Sequence, residues 1–200
     1  MSHGSTTISR ILLGALLLIA VCVLSCTCQG VTVDGGPVPT PPFPMQDLLL
    51  DESAFPQGWQ AYAPYEPPGR FGLPIALTYS SHAAGGGIAV QDVYVSWNPE
   101  EADEAYADAV RFWFKDDDRH TPWTTPTVVG SGSTTADQLR IGCHVERESE
   151  TQFCQVVAQY GRYVVRFHTY MSRYMTFADL ERILAAIDER MALHLAKDTY

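Results

Sequence analysis

The chain has 200 residues and carries 13 Lys+Arg against 23 Asp+Glu, a formal net charge of −10. An acidic balance of this kind argues against nucleic acid as a partner and against adsorption to anionic lipid. Beyond an apolar N-terminal stretch there are enough residues for one domain with a real core, and no internal repeat divides it.

A single charge, Arg10, precedes an uncharged run from Ile11 to Leu24 that ends in Ser25-Cys26. A membrane-spanning helix usually needs about 20 apolar residues and a secretory signal core about 7–15, and this run has the shorter length. Val23-Leu24-Ser25-Cys26 resembles the lipobox of bacterial lipoproteins, where a small residue precedes the cysteine that receives diacylglycerol. The resemblance implies that residues 1–25 are a lipoprotein-type signal peptide and that Cys26 is the lipidated, palmitate-bearing first residue. The lipid bilayer is then a partner through the N-terminal anchor. The chain departs from the family pattern at Val23, where Leu is usual, and at Leu24, where Ala or Ser is usual. Two other readings stand beside this one. An uncleaved anchor would run from Arg10 to Asp34, with Cys22, Cys26 and Cys28 as buried or palmitoylated thiols. Ordinary secretion would cleave near Ser25 and leave no lipid. All three place residues 30–200 outside the cytoplasm.

Residues 26–44 are rich in proline and glycine and favour an extended, polyproline-like tether. A single domain is expected over residues 45–200. Met45–Leu50 reads as a short helix leading into Phe55-Pro56-Gln57-Gly58-Trp59. Residues 60–72, rich in Pro, Gly and Tyr, read as ordered loop. In that stretch Trp59, Tyr62, Tyr65 and Phe71 either pack the loop onto the core or line an aromatic groove. Leu73–Ser80 and Ile88–Trp97 form a hairpin across a glycine turn at 85–87. Asn98-Pro99-Glu100-Glu101 starts a helix, with an N-cap residue, proline at the first position and acids at the positive end. The helix runs to about Lys115, with Ala102, Tyr106, Ala109 and Trp113 on one face, and Asp116-Asp117-Asp118 ends it.

Gln138 to Tyr170 reads as a three-stranded meander. A turn at Glu148-Ser149 places Cys143 opposite Cys154, Ile141 opposite Val156, and Leu139 opposite Ala158. A second turn at Tyr160-Gly161 places Val156 opposite Val165 and Cys154 opposite Phe167. In an oxidising compartment the opposed Cys143 and Cys154 read as one disulfide. Thr176 and Asp179 form a capping-box pattern ahead of a helix with Leu180, Ile183, Leu184, Ile187 and Met191 as its apolar stripe. The order ββαβββα gives an α+β fold: an antiparallel sheet of about five strands, covered by helices on the face bearing Ile141, Val156 and Val165.

The same registers put His144, Phe153 and His168 in one row of the opposite face, and Gly142, Gln155 and Arg166 in the next. Glu146 lies beside His144. This face reads as solvated or covered by residues 60–72, and its five candidate ligand-binding residues are Arg166, His144, His168, Gln155 and Phe153. The two histidines flank a strand about 10 Å apart with Phe153 between them, which does not suit zinc, so no metal is expected. Asp116 to His120 lacks the alternating ligands and glycine of a calcium loop. Gly85-Gly86-Gly87 is not followed by Lys-Ser/Thr, so it is a turn and not a phosphate loop, and no cofactor is expected. Ser131-Gly132-Ser133 lacks a nucleophile-elbow pattern, and no catalytic residue is assigned.

Phe55-Pro56-Gln57-Gly58-Trp59, the late cysteine pair, and Arg162-Tyr163-Val164-Val165 followed by a final helix resemble extracytoplasmic sensor-like domains of bacterial lipoproteins and receptor kinases. Kinase sensor domains carry two cysteine pairs where this region has one. The resemblance implies a non-catalytic module that binds an envelope ligand or protein, and it transfers no site residue. The alternatives are an envelope hydrolase with a composite site near Ser131 or Ser133, and a structural interaction protein on an uncleaved anchor.

Overall fold

A computed structural model describes residues 40–65, 73–81, 87–127 and 135–198. The signal, Cys26 and most of the tether lie outside the described residues, as do Phe71, His82, Gly85, Gly86, Ser131 and Ser133. Among the described residues no helix is long and apolar enough to cross a membrane.

The sheet has six strands: β1 (Trp59–Ala61), β2 (Leu73–Ser81), β3 (Ile88–Val95), β4 (Gln138–Val145), β5 (Gln152–Tyr160) and β6 (Tyr163–Tyr170). Their spatial order is β1-β2-β3-β6-β5-β4, and every pairing is antiparallel. The α+β class and the antiparallel sheet agree with the sequence reading. The extra strand is β1, which runs from Trp59 into the first two residues of the stretch read as loop and is paired only with the end of β2. So short a segment has no alternation to detect. Met45–Leu48 and Glu52–Ala54 are 3-10 turns, so the expected short helix at 45–50 closes one tight turn only.

β4 and β5 pair in the expected register, with Cys143 opposite Cys154, Ile141 opposite Val156 and Leu139 opposite Ala158. β5 and β6 pair two residues away from expectation, with Val156 opposite Phe167 and Cys154 opposite Thr169. The turn is centred on Gly161-Arg162, not on Tyr160-Gly161, and Tyr160 faces Tyr163. Gly161 takes φ +56°, a value open to glycine, while the aromatic Tyr160 stays in the strand. A slip of two keeps every side chain on its expected face; a slip of one would not.

Helix α1 (Pro99–Trp113) starts as predicted, with the Asn98 side chain accepting from the Glu101 N–H. Helix α2 (Phe177–Leu195) carries the full Thr176/Asp179 capping box. Its stripe of Leu180, Ile183, Ile187 and Met191 is buried against Val93, Cys154, Val156, Val165 and Phe167, together with Leu48, Leu49, Leu50 and Phe55. Gln91, buried on this face, accepts from Leu50 N–H and donates to the Leu48 carbonyl, so a polar strand residue is satisfied by the 3-10 segment. Arg190 of α2 holds the same segment through the carbonyls of Asp47 and Leu49. Phe43 packs on this core beside Tyr163 and His194, so the domain begins a little before residue 45.

The expectation that both helices share one face is corrected. α1 lies on the other face, where Ala102 and Ala109 pack on Tyr94, Val157 and Val164. The α2 face is already filled by α2 and residues 48–55, while the small alanines of α1 allow close approach to the opposite side. Asp103 pins the start of α1 to the sheet by accepting from Gln138 and the buried Gln159.

The Cys143–Cys154 disulfide is present, with Cα atoms 4.1 Å apart. Cys143 directs its backbone N–H and C=O outward to Thr124, so the cysteines are a non-hydrogen-bonded pair, the closer kind of cross-strand neighbour. Because the hairpin already aligns the strands, Cys143→Ser is expected to lower stability by less than about 2–4 kcal/mol, read as a shift in the urea midpoint. Failure to fold at ambient temperature would contradict this.

Candidate functional site: a cleft beneath helix α1

The face predicted to be open is roofed by α1 and the segment that follows it. Beyond Trp113 the chain turns at Asp116–Asp118 and runs back along the free edge of β4. Thr121 N–H donates to Val145 O, Thr124 and Cys143 exchange two backbone hydrogen bonds, and Arg147 N–H donates to Arg119 O. The edge that β4 would expose is therefore capped from Cys143 onward. Gly142 makes this crossing possible: a Cβ there would stand 2.8 Å from Phe114 and 3.1 Å from Trp123. Those two rings meet 4.8 Å apart over the strand.

Between α1, this segment and the sheet lies a cleft of about 560 Å³. Its floor holds His144, Phe153, Gln155, Arg166 and Tyr170, and its walls include Phe112, Trp113, His120 and Trp123. Four of the five sequence-predicted residues thus share one concavity. His168 stands on the same face, directly opposite Gln155, with its ring 5.5 Å from Phe153, but does not line the cleft. The predicted rows change with the β5–β6 register: His144, Phe153 and Tyr170 align, as do Gly142, Gln155 and His168. Trp59 is buried and donates to the Tyr174 carbonyl, whereas Tyr62 and Tyr65 are exposed.

The electrostatic centre is Arg166. Asp92, directly opposite on β3, accepts from its Nη1 at 2.9 Å, and both side chains are largely out of solvent. Burial raises the Asp92 carboxyl above its ordinary range and the arginine offsets this only in part. The guanidinium carbon lies 3.4 Å from the centre of the Trp113 ring, a stacked cation–π contact. His144 stacks on His120 with centroids 4.1 Å apart and planes 2° from parallel, and also on Trp123 at 4.0 Å. Burial, then the neighbouring His120, lowers the His144 pKa. His120 hydrogen-bonds Asp117 at 2.6 Å.

Four buried side-chain atoms have no hydrogen-bond partner among the described residues: Trp113 Nε1, Gln155 Nε2, Arg166 Nε and His168 Nδ1. Each orphan of this sort costs about 1–3 kcal/mol, and native domains hold only a few. Here all four belong to one sheet face and the helix above it, and three of their residues line the cleft. Among the described residues no three His, Cys, Asp or Glu side chains converge as metal ligands do.

Asp92, Trp113, His120 and Trp123 were not predicted for the site. Asp92 had a visible signal, a lone acid inside the apolar strand IAVQDVYV. Trp113 lies on the expected apolar face of its helix, but the sequence pattern sets that helix on the other side of the sheet. His120 and Trp123 belong to an irregular segment with no periodicity to read.

Burial, then the Arg166 charge, pushes the His168 pKa from 6.5 down to about 3. Between those values the unfolded chain takes up a proton that the folded protein refuses. The contribution is therefore fully present above pH 6.5 and is lost as pH falls toward 3. At pH 5 this group alone should cost about 2 kcal/mol. Urea midpoints at pH 7 and pH 5 should differ less for His168→Gln than for the wild type, and an equal difference would remove His168 as the cause.

No protein-family model matches the chain, and no curated protein matches it. Among solved structures it is similar in fold to the extracellular domain of PknH from Mycobacterium tuberculosis, with a TM-score of 0.54 and 12% identity over 73% of this chain and 93% of that one.

Proposed function

We propose that the chain is an extracytoplasmic, membrane-tethered and non-catalytic domain that binds a small ligand in the cleft beneath α1. The observation that carries the reading is the unpartnered Gln155 amide, 1% exposed, on the floor of an aromatic-walled cleft. Concave sites with few polar groups set among aromatic walls are the usual form of small-molecule sites. The fold likeness to a kinase's extracellular domain and the lipobox-like segment support a place in the cell envelope. Small-molecule fractions of an envelope extract are expected to shift the tryptophan fluorescence of the full chain, and the Gln155→Leu protein to lose that response. An equal response from the variant, or none from the wild type, overturns the assignment.

One observation favours a second reading, an envelope hydrolase. Asp117 and His120 pair on the cleft rim as an orienting acid and a general base do, although this carboxylate is 42% exposed. Turnover of p-nitrophenyl acetate that disappears in His120→Ala supports that reading; equal rates in both proteins remove it.

A further inference from the structure

The orphaned groups of the cleft differ in what they lack. Trp113 Nε1–H, the Gln155 amide nitrogen and Arg166 Nε–H are donors only, so each lacks an acceptor. They are neighbours. The Arg166 guanidinium stacks 3.4 Å from the Trp113 ring centre. On the sheet, Gln155 faces His168 and Val157 faces Arg166, which makes Gln155 and Arg166 diagonal neighbours on one face. Three such donors, on residues that line one cleft, suit a strongly accepting oxygen.

The charge balance decides which kind of oxygen. Arg166 already has its counter-charge in Asp92 at 2.9 Å. The rim sets Lys115 and Arg119 against Asp116, Asp117 and Glu146, and the chain as a whole carries −10. A carboxylate or phosphate entering here meets an arginine that is already paired and a rim with more acids than cations, so it would lose hydration for little ion-pair gain. A carbonyl loses far less hydration and uses the same donors. His168 stands beside the cleft lining, on the same sheet face. Its Nδ1 is the one orphan that accepts in one of its neutral tautomers, and it lies next to Gln155 on the sheet. The depressed pKa of His168 keeps that ring neutral at ordinary pH. An acceptor beside three donors pairs with a group that offers both a C=O and an N–H. Trp123, Phe153 and Tyr170 present aromatic surface to whatever body carries that group.

We propose that the cleft recognises an uncharged secondary amide on a flat or apolar body, its carbonyl oxygen received by Gln155, Arg166 and Trp113. This rests on the binding reading above and names the chemistry of that site.

Three water-soluble probes differing chiefly in charge separate the possibilities: N-methylbenzamide, benzoate and benzylamine. Each would be titrated into the full chain in detergent while the indole N–H resonances of Trp113 and Trp123 are followed by NMR. The expected result is that N-methylbenzamide binds about tenfold or more tightly than either charged probe. Gln155→Leu and the near-isosteric Gln155→Glu should both lose that preference while keeping the wild-type circular dichroism spectrum. Tighter binding of benzoate or benzylamine overturns the amide assignment and leaves the cleft standing as a binding site. Retention of the amide preference in both Gln155 variants also overturns it. If none of the three probes moves either indole signal, the amide assignment and the binding reading both fall.

Discussion

Asp92→Ala is expected to lower the unfolding free energy by about 3–5 kcal/mol, the largest single effect in the sheet. The substitution removes one member of a buried ion pair and leaves Arg166 charged beneath α1 with its Nε already unpartnered. Desolvation of an unpaired charge, and not the lost attraction itself, sets the size of the effect. Replacing both partners, Asp92→Leu with Arg166→Met, should recover stability to within about 1 kcal/mol of the wild type. The double variant should nevertheless lose the response of the cleft to N-methylbenzamide. Chemical denaturation of the three proteins tests the energetic claim. A single-variant loss below about 1 kcal/mol would mean that water reaches the pair and that Arg166 is not a desolvated group.

The second large effect is expected at the C-terminal end of α2. Asp198, just beyond the helix, accepts from Arg162 through both carboxylate oxygens, at 2.9 and 3.2 Å, and from the Tyr163 hydroxyl. Arg162 is 1% exposed although it occupies a hairpin turn. The clamp thus ties the end of the last helix to the β5–β6 turn in a bidentate geometry that lysine could not reproduce. Asp198→Ala should cost about 2–3 kcal/mol, because a buried guanidinium loses a bidentate carboxylate and a buried hydroxyl its acceptor. Asp198→Asn keeps one acceptor and should cost less. Equal midpoints for the alanine variant and the wild type would show that Arg162 finds its counter-charge elsewhere.

What could be read from the sequence followed from how strongly each pattern restricts the chain. The stripe of α2, the two helix starts and the Cys143–Cys154 register rest on local rules, and the structure agrees with each. The partition of the meander into two faces also held, because alternation survives a slip of two residues. The position of α1 was not legible. Ala102 and Ala109 suit either face, and only the crowding of the other face by Leu48, Leu49, Leu50 and Phe55 decides between them. Of the site, the floor was visible and the roof was not. Gln155, Arg166, His144 and Phe153 follow from strand alternation, whereas Trp123 and His120 arrive on an irregular segment fixed by backbone bonds to an edge strand. Gly142 is the one trace of that roof in the sequence, a strand glycine that leaves space for two rings.

The capped edge of β4 also bears on how copies of this domain behave beside one another. An unpaired strand invites a neighbouring chain to extend the sheet, and the invitation grows stronger where proteins are crowded on a surface. At one end of this sheet the outward N–H and C=O groups of Cys143 and Val145 are already engaged by the chain's own residues 121 and 124. Sheet extension from one molecule into the next is therefore blocked along the second half of β4. Copies of this domain brought close together would find that stretch of the edge already occupied.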